Sequence, residues 1–492
     1  MGPRTVHQRE SKGDFCLRAV CRCFRSHREA SVVRELRVSS HRILTAMTKQ
    51  KHLKALVRAR MQKTGESYVV ARRHVLRKAA AVETRDSQSY HLPGNIPATT
   101  ALRILLSASN VCFDQAEHPI SEALLFGCAG GIGAGVFAFR YEQEDFSSFF
   151  VAGRHLWQDD HAYLESACKR IGVKTEVTET GSKKVAGQQL QDAMADKLPV
   201  IAWCDQASLP GHCTPAAMVG GQYHVVTVYD IAEEKVLIGD LADAPQWISL
   251  KAFNESRAGI KKQKNRILRI VAAPKSVELK KCAKAGIREC HATLVGKGTV
   301  KPPGGKSMAA NFTLPAFEKW ADLMHGSKSD KSWAKAFPRG LNLWRGLTSI
   351  YSFIHYGTGG GLTRPLYAQF FQEVHGIFRM DILQELANRY EDLGKRWDEL
   401  AEAALPDEVE IFQRFKQLCV ARAELTLSQD HEAEDRLPKV VAEMDELSQS
   451  ARDAFPLDAA VCESLRSELS DKIRALHQDE LAAHELLGKV EL

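Results

Sequence analysis

The stretch KLPVIAWCDQASLPGHCTPAAMVGGQYHVVTVYDIAEEKVLIGDLADAPQWISL, residues 197–250, decides the fold of the central part of the chain. Its runs of β-branched and other apolar residues predict three strands, at 199–203, 223–229 and 235–240. The short turn at 232–235 predicts that the last two strands pair as an antiparallel hairpin. On paired strands, His224 and Asp240 would lie side by side.

His224 and Asp240 are candidate catalytic residues because of this predicted pairing. An Asp next to a His fixes the tautomer of the imidazole and favours its protonated form, which a Cys–His pair requires. The pattern also fits a second interpretation, in which His224 is a hydrogen-bonded core residue and Asp240 is a turn residue. Spacing alone leaves both interpretations open.

The elements around this stretch predict an α+β domain, with helices first and an antiparallel sheet second. That order is the layout of a papain-like, cysteine-protease-type domain. We predict helices at 99–109, 121–129, 159–171, 185–196 and 250–258, and further strands at 136–139, 146–151, 174–178 and 267–271. Helical periodicity at 316–324, 341–355, 365–386 and on to residue 492 then predicts an α-helical domain.

Composition divides the chain into five predicted segments. They are a basic tail at 1–46, a basic helical module at 47–82, the papain-like domain at 95–273, a linker at 274–311 and the α-helical domain at 312–492. Met47 opens a more structured segment than the Arg- and Ser-rich residues before it. We therefore expect Met47 to be the natural start, with the tail not translated.

Positive charge is concentrated at the N-terminus. Residues 1–79 hold 20 Lys and Arg against 5 Asp and Glu, whereas the remaining residues hold 47 against 55. Such an arm either binds an acidic partner, RNA or DNA, or forms a helical hairpin that docks on its own protein. We favour the docked hairpin and expect no nucleic-acid partner, because no aromatic interleaving supports stacking on bases.

Cysteine usage and hydropathy predict a cytoplasmic protein. The twelve cysteines are scattered and form no CxxC pair, which argues against a structural zinc site and fits a reducing compartment. The most apolar stretch, 126–139, is too short to span a bilayer, and the N-terminus lacks the apolar core of a signal peptide. No motif indicates a metal or organic cofactor, and we expect none.

Several motifs, in order along the chain, resemble those of one family. The central stretch contributes PVIAWCD at 199–205, YHVVTVYD at 223–230 and WISL at 247–250. The front half adds TTALRILL at 99–106, ISEALLFG at 120–127 and Gly153-Arg154, and the helical part adds Trp333, GTGGG at 357–361, Arg364 and YAQFFQE at 367–373. Residues 95–405 thereby resemble the butirosin biosynthesis protein H family with the uncharacterised C-terminal domain usually fused to it.

The resemblance implies a papain-like acyltransferase of bacterial secondary metabolism. In the type member, an aminoacyl group moves from an acyl carrier protein thioester to an aminoglycoside amine, through a Cys nucleophile, a His base and an Asp orienter. The resemblance makes His224 the base and Asp240 the orienter, with Asp205, Glu122 and Arg154 as substrate-binding residues. The implied partners are an acyl carrier protein and a small amine acceptor.

The nucleophile of that family has no counterpart here. The family has a His-Cys pair just before the first helix, where the helix N-terminus lowers the pKa of the thiol. In the same register this chain has Pro97, which suits a first helical turn but carries no nucleophile. Thr99 and Thr100 offer hydroxyls, but a Thr nucleophile normally needs a free N-terminal amine or a dedicated base.

Pro97 leaves three interpretations of the function. The protein is an acyltransferase-like protein with a degenerate nucleophile position, a non-catalytic pseudoenzyme that binds a carrier protein, peptide or metabolite, or a cysteine-peptidase-like hydrolase. A substitute nucleophile would be one of four cysteines, although free cysteines are commonly just small buried residues. These four are Cys112, Cys128, Cys204 and Cys213.

Two glycine-rich runs are given structural rather than ligand-binding roles. GCAGGIGAG at 127–135 lacks the spacing of a phosphate-binding loop, so we expect it to permit close helix–strand approach or to line a pocket. The run at 357–361 has backbone N–H groups that can bind an anion, but we favour an interhelical turn.

Overall fold

The structure is a computed structural model, in which the chain divides into two units, Met1–Ala55 and Leu56–Leu492. The fold and the site described below belong to the second unit. The residues that the structure describes are 53–66, 68, 71, 72, 75, 91–117, 119–141, 145–153, 160–213, 220–242, 244–299, 309–325, 329, 332–357, 359–428 and 431–492. The predictions for the tail at 1–46 and for Arg154 lie outside these residues.

The first part of the second unit mixes helices with strands. Its helices are α1 (Pro97–Ala108), α2 (Glu122–Cys128), α3 (Asp160–Ile171), α4 (Lys183–Ala193) and α5 (Leu250–Gly259). Its strands are β1 (Cys112–Phe113), β2 (Gly135–Tyr141), β3 (Phe146–Ala152), β4 (Lys174–Thr178), β5 (Val200–Asp205), β6 (Tyr223–Ala232), β7 (Lys235–Gly239), β8 (Gln246–Ser249), β9 (Ile267–Ala272) and β10 (Ser276–Val277).

Six strands form one antiparallel sheet, in the order β4-β9-β5-β6-β7-β8. Successive side chains of a strand point to opposite faces, and both faces of this sheet are covered. Trp203 and Val225 lie in the main core, whereas Ala202 and Val226 lie in a second core with Phe253 of α5. β2 and β3 form a separate hairpin, and β1 and β10 form a short parallel pair.

The α+β class predicted from the sequence is confirmed, and helices precede the antiparallel sheet along the chain. The predicted hairpin of 223–229 with 235–240 is confirmed as β6 and β7. The sequence analysis did not predict β8, which pairs with β7. Ser249 ends this strand and caps α5, because its hydroxyl accepts a hydrogen bond from Ala252 N, so the helix begins only at Leu250.

The rest of the second unit is helical. Its helices are α6 (Leu279–Leu294), α7 (Pro315–Met324), α8 (Trp333–Ala336), α9 (Leu341–Ser352), α10 (Arg364–Phe378), α11 (Asp381–Ala404), α12 (Glu410–Leu427), α13 (His431–Asp453) and α14 (Ala459–Leu487). A π-helical turn, Phe353–Gly357, continues α9. The predicted α-helical C-terminal region is therefore observed.

Two details of this helical part differ from the prediction. The range 274–311, predicted as a linker, contains α6, whose buried Leu279, Ala283 and Ile287 recur at helical spacing and join the main core. The helix predicted at 365–386 is two helices, because Arg379 adopts a left-handed conformation with φ of 55° and ends α10.

The glycine run at 127–135 lets the two parts of the unit pack closely. A Cβ atom on Gly127 would lie 2.2 Å from the ring of Phe370, and one on Gly131 would lie 2.6 Å from the ring of Tyr367. Nη1 of Arg364 donates to the carbonyl of Gly133 at 3.1 Å. The run thus permits close approach, but to helix α10 rather than to the strand that the sequence predicted.

The second glycine run, at 357–361, lies between α9 with its π-helical turn and α10, as predicted for an interhelical turn. Gly361 N donates to Oδ1 of Asp398 at 3.0 Å, so this backbone group binds a carboxylate of its own chain. The basic module also contacts its own protein. Val57 and Tyr68 are buried, and the guanidinium of Arg58 forms a two-bond ion pair with Glu424 of α12.

Candidate functional site

His224 and Asp240 meet where β6 begins and β7 ends. Residue pairing aligns Thr227 of β6 with Gly239 of β7, so Asp240 continues β7 by one residue toward the start of β6. Nε2 of His224 lies 2.8 Å from Oδ2 of Asp240. Only 5% of the His224 side chain and 10% of the Asp240 side chain are exposed, so this hydrogen bond is sheltered from water.

The carboxylate controls the charge state of the imidazole. Burial alone would lower the pKa of His224, but the negative charge of Asp240 and its hydrogen bond outweigh burial and raise it, with a smaller contribution from Asp160. Burial would raise the pKa of Asp240, but His224 and His212 hold it well below the usual range. The carboxylate therefore stays ionised and favours the imidazolium, as an orienting Asp does.

A second histidine, His212, reaches the same carboxylate oxygen, and the sequence analysis did not predict it. Its Nε2 lies 3.1 Å from Oδ2 of Asp240, and its ring centre lies 5.4 Å from that of His224. Its Nδ1 lies 3.3 Å from the side-chain amide of Gln206. His212 lies in the loop between β5 and β6, so a strand pattern gives no information on where its ring points.

Asp205, predicted to bind substrate, holds both ends of that loop. Its buried carboxylate accepts hydrogen bonds from the backbone N–H groups of Gly220, at 2.7 Å, and Gln222, at 3.3 Å. It also accepts a hydrogen bond from the hydroxyl of Ser208 at 3.4 Å. These contacts position the loop that carries His212, and the substrate-binding role of Asp205 stays a prediction.

Glu122, the other described residue predicted to bind substrate, shapes the approach to α1. Its buried carboxylate accepts hydrogen bonds from the backbone N–H groups of Asn95 and Ile96, both at 2.9 Å, and from the Thr100 hydroxyl at 3.3 Å. Pro97 then occupies the first turn of α1. The carboxylate fixes the backbone just before α1, and its predicted contact with substrate stays a prediction.

Of the possible substitute nucleophiles, one hydroxyl has a partner and two thiols are poorly ionised. Thr99 is buried and lies 3.4 Å from the hydroxyl of Tyr163. Burial raises the pKa of Cys128 and Cys204 well above the usual value for a thiol. Cys213 follows His212 directly but packs against the apolar cluster that contains Leu425 of α12. A thiolate nucleophile is therefore disfavoured at Cys128 and Cys204.

The fourth candidate, Cys112, lies in β1, and its thiol donates to the carbonyl of Lys275 at 3.0 Å. β1 pairs with β10, whereas His224 and Asp240 belong to strands of the six-stranded sheet. Cys112 thus has its own hydrogen-bond partner, and its strand is not part of the sheet that carries His224 and Asp240.

Two ranges of the chain are similar to known family models. Residues 100–241 match the family model described as Butirosin biosynthesis protein H, N-terminal. Residues 249–441 match the model described as Domain of unknown function (DUF4872). The first part of the chain is therefore similar to the butirosin biosynthesis protein H N-terminal domain, and the second to the DUF4872 domain. No curated protein matched the chain.

The limits of the first match bear on the site. His224 and Asp240 both lie inside the butirosin biosynthesis protein H range of 100–241, whereas Pro97 lies three residues before it. The DUF4872 range begins at Ser249, the cap of α5, and includes α6. Among the described residues, no helix is long and apolar enough to cross a membrane.

Proposed function

We propose that this protein is an acyltransferase-like protein of the butirosin biosynthesis protein H type, with His224 as a general base. The observation that carries the proposal is the sheltered hydrogen bond of 2.8 Å between Nε2 of His224 and Oδ2 of Asp240. The donor would be an acyl thioester on an acyl carrier protein, and the acceptor a small amine. The papain-like character of the domain is part of the same proposal, supported by α1 in front of an antiparallel sheet.

The orientation of the imidazole determines which nitrogen is available for catalysis. Nε2 of His224 is engaged by Asp240, and Nδ1 has no hydrogen bond to a residue that the structure describes. In the neutral ring, with its proton on Nε2 facing Asp240, Nδ1 is therefore the nitrogen that can accept a proton from an incoming amine. Asp240 keeps the ring in that orientation and stabilises the imidazolium that forms, the role of the Asp in a Ser-His-Asp triad.

Pro97 implies direct transfer rather than an acyl-enzyme. A thioester is already an activated acyl donor, so an amine held beside it can attack the carbonyl carbon without a prior covalent step. The new C–N bond forms as His224 takes the proton from the amine nitrogen, and the C–S bond then breaks. The carrier thiolate leaves and takes that proton, so atoms and charge balance. Holding donor and acceptor together lowers the entropic barrier of this step.

A second candidate is a non-catalytic binding protein, and Pro97 is the observation that favours it. Such a protein would keep the surface for a carrier protein, peptide or metabolite without turning it over. The hydrolase interpretation uses the same base with water in place of the amine. A role of His224 as a base accounts better than a binding role for a His–Asp pair that is buried and hydrogen-bonded.

The test is turnover of an acyl thioester by the full chain. An acylated carrier protein is mixed with a panel of small amines, thiol release is followed with a chromogenic disulfide, and products are identified by mass spectrometry. We expect His224→Ala to lower the rate about 10²- to 10⁴-fold, the typical contribution of a positioned general base. The matched control is His325→Ala, which removes an exposed histidine.

Each outcome of this experiment selects one interpretation. Amide formation that depends on His224 supports the proposal. Thiol release without amide, equally dependent on His224, identifies a hydrolase. Carrier binding with no turnover identifies a binding protein, and turnover that is unchanged in His224→Ala refutes the role of His224.

A further inference from the structure

His212, His224 and Asp240 bring three metal-ligating groups to one point. The Nε2 atoms of both imidazoles lie within hydrogen-bond distance of Oδ2 of Asp240, at 3.1 Å for His212 and 2.8 Å for His224. One ligand atom from each residue lies within 4.8 Å of the others. A tetrahedral ion with bonds of about 2.0–2.1 Å holds its ligand atoms roughly 3.3 Å apart, so small shifts suffice.

The second oxygen of Asp240 provides an independent observation. Nine-tenths of the side chain is buried. Its Oδ1 is buried too, yet it has no hydrogen-bond partner among the residues that the structure describes. A buried carboxylate oxygen without a partner is costly, since such groups are nearly always hydrogen-bonded. Both imidazoles crowd onto Oδ2 while Oδ1 stays unpaired, and a cation beside the carboxylate would resolve this imbalance.

The surroundings of His212 also suit a ligand. A ligating imidazole usually donates its other N–H to an oxygen, which fixes its tautomer. Gln206 lies at that position, 3.3 Å from Nδ1 of His212. Turned by 180°, this amide presents its oxygen instead of its nitrogen. Nδ1 then donates to Gln206, and Nε2 has a free lone pair. The contacts of Asp205 hold the loop in place.

We propose that His212, His224 and Asp240 form a binding site for a divalent transition-metal ion, with Zn²⁺ as the best-fitting metal. Two imidazoles and one carboxylate are a ligand set that Zn²⁺ accepts, and three protein ligands leave a fourth position open. Binding requires neutral imidazoles, so it releases any proton held at Nε2. The sequence analysis expected no metal because nothing in the spacing of residues 212, 224 and 240 resembles a known ligand motif.

This inference goes beyond the proposed function. A metal on Nε2 of His224 replaces the hydrogen bond to Asp240 and leaves Nδ1 protonated, so His224 can no longer accept a proton. The metal-bound form is therefore inactive in the direct transfer proposed above. Zn²⁺ would act as an inhibitory ligand of the same residues.

The test is Co²⁺ titration of the full, tag-free chain after treatment with EDTA. We expect one equivalent of Co²⁺ to bind with the visible absorption of a tetrahedral ion. The spectrum should lack the intense near-ultraviolet band of cobalt–thiolate bonds. That feature separates the proposed site from binding to Cys16, Cys21 or Cys23 of the N-terminal tail.

Two variants localise the binding. His212→Ala removes a ligand from a loop and should weaken Co²⁺ binding at least about 10- to 100-fold, the loss seen when even outer-shell partners are removed. His325→Ala removes an exposed histidine and should bind like the wild type. Circular dichroism and thermal unfolding establish that each variant is folded, and His212→Gln serves as a second variant if the alanine variant is not.

The outcomes separate this inference from the proposed function. If the wild type binds no stoichiometric Co²⁺, or His212→Ala and His212→Gln bind as tightly as the wild type, the metal site is refuted and the base role of His224 is untouched. If one equivalent of Zn²⁺ binds and inhibits transfer, both stand. If transfer requires the bound metal, the metal site stands and the role of His224 as a base fails.

Discussion

The stability of the helical part should depend on the charge of one buried histidine, His355. It lies in the π-helical turn after α9, with 1% of its side chain exposed. Its Nδ1 lies 3.0 Å from Oδ1 of Asp398, and its Nε2 lies 3.0 Å from Oε1 of Glu402. Burial alone would lower the pKa of His355, but the two carboxylates outweigh burial and raise it from 6.5 to about 9.

This shift of the pKa sets both the size and the pH range of the effect. A raised folded-state pKa contributes stability that is fully present below the unfolded pKa and is lost as pH rises through the folded pKa. The difference of about 2.5 pH units corresponds to about 3 kcal/mol. We therefore expect the contribution to be complete below pH 6.5 and to fall by about 1.4 kcal/mol per pH unit until about pH 9.

The assay is urea unfolding of wild type and His355→Gln at pH 6 and pH 9, followed by tryptophan fluorescence. Four of the seven tryptophans, Trp320, Trp333, Trp344 and Trp397, lie in the helical part and report on it. The free energy of unfolding should differ between the two proteins by about 3 kcal/mol more at pH 6 than at pH 9. Comparing the two proteins removes the titration of all other groups.

A matched control is His375→Gln, because Nδ1 of His375 lies 3.0 Å from a backbone carbonyl, that of Met380, rather than from a carboxylate. This variant controls for the loss of a histidine whose hydrogen bond is to a backbone carbonyl. If the difference between wild type and His355→Gln is the same at both pH values, the imidazolium is not held by Asp398 and Glu402, and the reasoning fails.

Two further changes test the packing. Nε of Arg364 lies 2.7 Å from Oε1 of Glu480, and both side chains are fully buried. Glu480→Gln leaves the guanidinium buried without its carboxylate, so the free energy of unfolding should fall by about 3–5 kcal/mol in the same urea assay. Gly127→Ala would place a Cβ atom 2.2 Å from the ring of Phe370 and should cost about 1–3 kcal/mol in thermal unfolding, whereas Gly187→Ala, in α4 with open space around it, should stabilise by about 0.5–1 kcal/mol. A Gly127→Ala protein as stable as the wild type would contradict the close contact.

The sheet and the His224–Asp240 pair could be predicted because their determinants are local. Alternating apolar residues define each strand, and the turn at 232–235 fixes which residues of β6 and β7 face each other. Once that register is set, His224 near the start of β6 and Asp240 just after the end of β7 must be close. The break in the helix predicted at 365–386 is also local, because it occurs at Arg379. The sequence gives no signal of this break, since a left-handed conformation is uncommon for arginine.

His212 could not be predicted because its position depends on contacts distant in sequence. The loop between β5 and β6 returns to the sheet through hydrogen bonds that Asp205 accepts from Gly220 and Gln222. Periodicity carries no information about such a loop. The helix α6, in contrast, had a signal in its apolar spacing, and the Gly- and Pro-rich residues after Leu294 obscured it.

The most direct test of direct acyl transfer is the intact mass of the protein after incubation with an acylated carrier protein. Pro97→Cys places a thiol in the first turn of α1, where a helix N-terminus favours the thiolate. We predict no acyl adduct on the wild type during turnover and, on Pro97→Cys, an adduct with the mass of the acyl group, the carrier thiol having left. An adduct on any wild-type cysteine, located by peptide mapping, would contradict the account.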